Sequence, residues 1–383
     1  VCAVLADVTI AQDNPLPLLE LPNSQQYPVY TANTLYVRRN GNLIVSNPMF
    51  HTITELIPSD GKIVDEVDVV GSDNTIVTLP SEVPLKIIGN QFWVVADEQI
   101  ADRQNALTSL TRILWGDFTF SIPTQLQLGY VPNASFAVSL GQHPQTDATS
   151  QTRAIAIHPR TGILYSVAVW NTESSTLDNR YTNLLDELAL ETGLLATVQP
   201  NLLDVIDQRA HLPSALEIDT VRNRLYVAYS ASNRVSVIDL KTLTLISTFA
   251  TGANPIDIAL SRDGAWVYVH NSVDNTITVR DTQFYGLANT LPTSLRSQEA
   301  DVWLGAQLFH SASDPRMSWN ESASCNTCHA SPLDTVTSRW VQPINVDMAQ
   351  DMAWLNAHIA MQQGGSGLSV LEMQALVAFL QGS

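Results

Sequence analysis

Residues 225–239 read LYVAYSASNRVSVID, and residues 267–281 read VYVHNSVDNTITVRD. Laid over one another, Leu225-Tyr226-Val227 meets Val267-Tyr268-Val269, Asn233 meets Asn275, Val235-Ser236-Val237 meets Ile277-Thr278-Val279, and Asp239 meets Asp281, all at an offset of 267 − 225 = 42 residues. Each half of the unit is rich in β-branched and aromatic residues and short enough to be one strand. The Asp263-Gly264 pair just before the second unit is hairpin-turn chemistry. A period of about 40 to 45 residues is that of one four-stranded propeller blade, so this stretch predicts a β-propeller.

Working outward, looser copies of the opening strand occur at Leu43-Ile44-Val45, Phe92-Trp93-Val94-Val95 and Leu164-Tyr165-Ser166-Val167. From Asn23 to about Asp281, Gly, Asn, Asp and Pro interrupt the apolar runs at strand-length intervals and helical periodicity is nearly absent. The spacing is irregular, with long insertions such as Asp178 to Asp204, and further blades are expected between Trp115 and Leu140, for a total of six or seven. Tyr-Val followed by an Asn-containing turn and a V-x-V-x-D strand, as at Tyr226-Val227 and Val235 to Asp239, resembles the YVTN-type β-propellers of secreted bacterial and archaeal proteins. The resemblance is specific from Leu212 to Thr290.

Beyond Thr282 the pattern changes. Leu291-Pro292 reads as a boundary, giving a propeller over 1–290 and a small all-α domain over 291–383, with a helix expected from Ser294 to Phe309 and another from Leu368 to Leu380. Between them stands Cys325-Asn326-Thr327-Cys328-His329, a C-x-x-C-H motif. Two thiols on one helical turn can each form a thioether to a vinyl group of the same porphyrin, while the next residue offers an imidazole to the iron. The residues therefore predict one covalently bound haem c, attached through Cys325 and Cys328, with His329 as proximal ligand. A thioredoxin-like dithiol lacks its surrounding βαβ pattern, and a zinc site lacks a second ligand pair, since Cys2 is far away.

The run Gly305-Ala306-Gln307-Leu308-Phe309, then Asp314-Pro315-Arg316-Met317-Ser318, then Ser324 and the motif, is similar to the segment preceding the first haem of bacterial dihaem cytochrome c peroxidases and related propeller-linked cytochromes. It departs from the dihaem pattern in having a single C-x-x-C-H. The C-terminal region thus looks like a small cytochrome c domain, which implies electron transfer; a propeller-cytochrome oxidoreductase acting on a small substrate and a haem-bearing structural subunit of an extracellular polymer are the alternatives.

The second iron ligand is open to Met348, Met352, His358, Met361 and Met373. Met361 is the first choice because it stands directly before Gly364-Gly365-Ser366-Gly367 and the final helix; His358 and Met352 are the alternatives. Arg316, Arg339, Trp319 and Trp340 flank the motif and are candidates for neutralising propionates or covering the porphyrin edge.

With 19 Lys+Arg against 37 Asp+Glu, the net charge of −18 excludes binding to nucleic acid by phosphate neutralisation and favours a cationic redox partner. No transmembrane run is present, the chain does not begin with Met, and haem c attachment implies export to the periplasm or cell exterior. Self-association, as a homo-oligomer or polymer, is a further expectation, with Val8-Thr9-Ile10 as a strand that could pair with a neighbour's sheet edge.

Overall fold

The computed structural model describes residues 32–38, 40–68, 76–78, 92–95, 110–113, 150–158, 163–171, 181–189, 194–195, 201–202, 211–318, 323–329 and 352–382. The β region opens with β1 (Ala32–Asn33), then β2 (Leu35–Val37), β3 (Leu43–Asn47), β4 (Thr52–Ile57) and β5 (Lys62–Asp68), the last four forming an antiparallel sheet in chain order. Strands β6 (Ile76–Thr78), β7 (Phe92–Val95) and β8 (Leu110–Ile113) join β1 in a second sheet, in which β6 and β7 run parallel. A third sheet comprises β9 (Ser150–Ile157), β10 (Ile163–Asn171), β11 (Tyr181–Ala189), β12 (Leu194–Leu195) and β13 (Asn201–Leu202). Two further antiparallel sheets follow in chain order. One holds β14 (Pro213–Asp219), β15 (Arg224–Tyr229), β16 (Arg234–Asp239) and β17 (Thr244–Ala250), and the other β18 (Pro255–Leu260), β19 (Trp266–Asn271), β20 (Thr276–Asp281) and β21 (Leu287–Pro292).

The three four-stranded antiparallel sheets are blades of a propeller, stacked face to face. Along β15 the side chains alternate between two neighbours. Leu225, Val227 and Tyr229 pack with Tyr165 and Val167 of the preceding sheet, and Tyr226 and Ala228 pack with Ile258, Val267 and Val269 of the following one. A strand covered on both faces needs no polar side, which is why LYVAY reads as a continuous apolar run. The stack also links the two ends of the β region: Leu35, Leu43, Val45 and Leu56 share a core with Tyr268, Ile277, Val279 and Leu291. Among the described residues five sheets are present, and the stretch Trp115 to Leu140, where further blades are expected, lies outside them.

The repeat's polar residues shape its turns. Asn233 and Asn275 both take positive φ, 52° and 51°, a left-handed conformation that Asn tolerates better than most L residues. Asp239 accepts two backbone N–H groups from the adjoining turn, those of Lys241 and Thr242, and Asp281 accepts three, those of Gln283, Phe284 and Gly286. Between blades, the first hairpin turn of one reaches the first hairpin turn of the next. Arg222 Nη1 donates to the Gly264 carbonyl at 2.9 Å, and Arg262 Nε donates to the Arg38 carbonyl at 2.7 Å.

Leu291 and Pro292, where the sequence marks a boundary, complete β21, and Leu291 fills the core shared with the first blade. From Ser294 the chain is a strap along β5 rather than a helix: the Ser294 hydroxyl and the Leu295 N–H donate to Glu66, and Arg296 pairs with Asp68. These tethers hold the backbone out of helical geometry until α1 (Ala300–His310). A short turn α2 (Cys325–Cys328), then α3 (Met352–Gln363) and α4 (Val370–Gly382), complete the described helices.

Helix α4 lies across α1 at Gly305, where an added Cβ would fall 2.0 Å from the Ala375 carbonyl oxygen, so only glycine allows that approach. Phe309 and Phe379 meet beside it, ring centroids 5.4 Å apart. Their core runs on into the propeller through Ala253 and Val273. Asp274 fastens the junction, accepting from Ala253 N at 2.6 Å through one oxygen and from Trp303 Nε1 and Gln307 Nε2, at 3.2 and 3.3 Å, through the other.

Candidate haem site

The motif occupies a single turn that the sequence builds locally. Ser324 precedes α2 in extended conformation, its N–H donating to the Thr327 hydroxyl at 2.9 Å, and the Thr327 N–H donates back to the Ser324 carbonyl. The His329 N–H closes the turn on the Cys325 carbonyl at 2.8 Å, after which the backbone straightens. Cys325 and His329 thus share one helical repeat, and Cys328 lies in the same turn. Cys325 is buried at the edge of the helical core.

Opposite this turn stands α3. Leu355, Ile359 and Gln363, spaced four residues apart, form its buried face. Gln363 Nε2 donates to Cys325 Sγ at 3.4 Å, a sulfur contact that fastens the end of α3 to the motif. His358, on the flank of that face, brings its ring centroid to 6.1 Å from that of His329, the planes 42° apart. Burial, and then the charge of His329, hold the His358 imidazole below its ordinary pKa, which favours the neutral form a metal requires.

Met361 is placed differently. Helix α3 continues two residues beyond it, the buried face falls on positions 355, 359 and 363, and the Met361 side chain is 65% exposed. The glycine-rich turn is tightly packed against the chain before the motif: a Cβ on Gly365 would sit 2.2 Å from the Arg316 carbonyl oxygen, and the Gly367 N–H donates to that same oxygen. Met352 is partly buried against the helical core, and Met373 is a core residue. Arg316 pairs with Asp314 and Glu372, joining the segment before the motif to the start of α4. Met348, Trp319, Arg339 and Trp340 lie outside the described residues, as do Cys2 and Val8 to Ile10.

The donor set fits a haem c. A metal–imidazole nitrogen bond is about 2.0 Å, and a ring centre lies roughly 1 Å beyond its nitrogen, so two imidazoles on opposite sides of one metal have centroids roughly 6 Å apart. The separation of His329 and His358 matches this. Beside the thiol, Gln363 Oε1 and both polar atoms of the Asn326 side chain are buried without a hydrogen-bond partner, leaving capacity for a group not made of protein. No cluster of three or more His, Cys, Asp or Glu suited to a bare metal ion occurs among the described residues.

The blades hold a second group of perturbed residues that sequence reading missed. Asp257 Oδ2 accepts from the backbone N–H groups of Thr34 and Leu35 at 2.7 and 2.9 Å, clasping the first blade to β18, and His270 Nδ1 meets the Thr34 hydroxyl at 2.9 Å. Burial pushes the Asp257 carboxyl up to about 6, despite the N–H groups it accepts, and pushes His270 down to about 3. Glu217 on β14 is pushed up to about 8 by burial, with the Asp257 and Asp219 charges adding. A further signal was present in the sequence: Asn47 with Thr52 and Thr54, and Asn271 with Thr276 and Thr278, share the spacing N-x-x-x-x-T-x-T. In both blades the Asn amide donates to both hydroxyls across the hairpin.

No known family profile matches the chain. A stretch of 100 residues, 26% of the chain, is 35% identical to the uncharacterized protein YncE of Salmonella typhimurium and, to the same extent, to that of Salmonella typhi. The match spans only 28% of the length of these curated relatives. Among solved structures, hydrazine synthase of Kuenenia stuttgartiensis aligns over 70% of this chain and 99% of its own, with 14% identity and a TM-score of 0.42. No described helix is long and apolar enough to cross a membrane.

Proposed function

We propose that the helical region carries one haem c, thioether-linked through Cys325 and Cys328 and ligated by His329 and His358, and that the protein is an exported electron-transfer cytochrome with a propeller as its docking scaffold. The observation that supports this best is the 6.1 Å separation of the two imidazoles beside the C-x-x-C-H turn. When bound, the haem supplies a one-electron couple between ferrous and ferric iron. The chain's own residues do the rest. The closed turn from Cys325 to His329 aligns thiol and imidazole, Gln363 holds α3 against that turn, and the core around Phe309, Leu355 and Ile359 keeps one side dry.

Imidazole on both sides gives a lower reduction potential than the Met361 pairing expected from the sequence. It also closes the iron to exogenous ligands, which favours electron transfer over peroxidase chemistry. The excess of acidic residues favours a basic partner, with association weakening as salt rises.

Intact-mass measurement on the denatured protein should show one retained haem, and a chain at apoprotein mass refutes the proposal. His358→Ala should admit carbon monoxide to the ferrous protein, whereas Met361→Ala should leave ligand binding and potential unchanged. The opposite pattern would restore Met361 as the ligand.

A further inference from the structure

His358 is not held by α3 alone. Trp354, one turn earlier on the same flank of the helix, stacks on the His358 ring with centroids 4.9 Å apart and planes 19° apart. The four-residue spacing places the two side chains one above the other. The indole is itself anchored, packing against the core of Phe309, Leu355 and Phe379. His329 lies on the other side of the pair's reach, its ring 6.1 Å from His358 but tilted by 42°.

An imidazole on a helix flank has two rotatable bonds, and a half-buried ring without a flat neighbour samples several rotamers. A ligand that samples rotamers leaves the metal part of the time, and one held in a single plane does not. We propose that Trp354 is a positioning residue that fixes the plane of His358 and holds it toward His329. This rests on the haem reading above.

The role differs from ordinary core filling. The two planes are nearly parallel, and a flat face restrains rotation of the ring about its bond to the backbone in a way that an aliphatic side chain of similar bulk does not. Partners of this kind, one step removed from a metal, set ligand orientation and tune the metal. An aromatic stack is worth a factor of about two to twelve in the population of the docked ring.

The test uses the full-length, haem-loaded protein and its Trp354→Ala, Trp354→Leu and Trp354→Phe variants. Two readouts are taken: the rate of carbon monoxide binding to the ferrous form, and the electron paramagnetic resonance spectrum of the ferric form, whose anisotropy depends on the relative orientation of the axial imidazole planes. Trp354→Ala and Trp354→Leu should each speed carbon monoxide binding by about two- to twelvefold and shift the spectrum, and Trp354→Phe should restore most of both. Leu matters because it keeps bulk without a flat face. A Leu variant indistinguishable from the wild type reduces Trp354 to packing and overturns the inference, as do unchanged rate and spectrum in Trp354→Ala. Should His358→Ala fail to open the iron, the ligand reading itself falls. If it opens the iron while the Trp354 variants stay silent, only the present inference falls.

Discussion

Between Pro213 and Pro292 every strand is paired in its ladder and both faces of β15 and β19 are covered by neighbouring blades, so sequence and structure repeat together. Between Ala300 and Gly382 nothing repeats among the described residues. The core of that region borrows Ala253 and Val273 from the propeller, and beside it lie two half-buried imidazoles, 6.1 Å apart, and buried amide atoms without partners. One region derives its order from copies of itself. The other derives it from a surface to lean on.

The sharpest way to break that contrast is to remove one large core residue from each side. Phe309→Ala should cost about 3–5 kcal/mol, because Phe309 joins α1 to α4 and to the propeller-facing core. Circular dichroism on heating should show the helical signal lost early while the β signal persists; simultaneous loss would make the two regions one cooperative unit. Leu225→Ala should cost about 2–5 kcal/mol, this time lowering the β transition, since Leu225 sits between two blades.

A smaller effect separates the regions by pH. Glu217 titrates near 8 in the folded chain against an ordinary value of 4.5, and Asp257 near 6 against 3.8. Both carboxyls hold their protons longer in the native state than in the unfolded one. The stability of the blades should therefore be highest below about pH 4 from these groups and fall as pH rises from about 4 to 8. Glu217→Gln should flatten the upper part of that fall, by about 1–2 kcal/mol after solvent screening; an unchanged slope in denaturant titrations at successive pH values would show that Glu217 is not its source.

Next comes the junction. Asp274→Ala should cost about 1 kcal/mol and remove the acceptor of the already exposed Trp303 indole N–H; a change in tryptophan fluorescence reads this directly. The least effect is expected at Arg316→Ala, below about 1 kcal/mol, since the Arg316 guanidinium is exposed to solvent. A larger loss by urea titration would mean that the segment before the motif depends on its link to α4.

Legibility in the sequence divides along the same line. The 42-residue copy exposed strands, turn asparagines and capping aspartates because each is a local rule applied twice. The join of first and last blades was hidden, since Asp257 meets Thr34 and Leu35 across more than half the chain and carries no local signature. In the helical region the C-x-x-C-H spacing was legible because its chemistry is written within five residues. The expectation of Met361 came from its place before the glycines. What the sequence could not place is that α3 runs on to Gln363, with His358 on its flank near His329 and the Met361 side chain 65% exposed. Facing pairs of this kind are set by how two segments meet.

The arginines of the first hairpin turns have a consequence for how such a ring can change. Arg222 and Arg262 each grip a main-chain oxygen of the next blade, an atom that every residue type supplies. A grip on backbone does not depend on which side chain the receiving residue carries: glycine receives one of these bonds and arginine the other. The sequence of a receiving turn is thereby free to diverge while the two blades stay joined there.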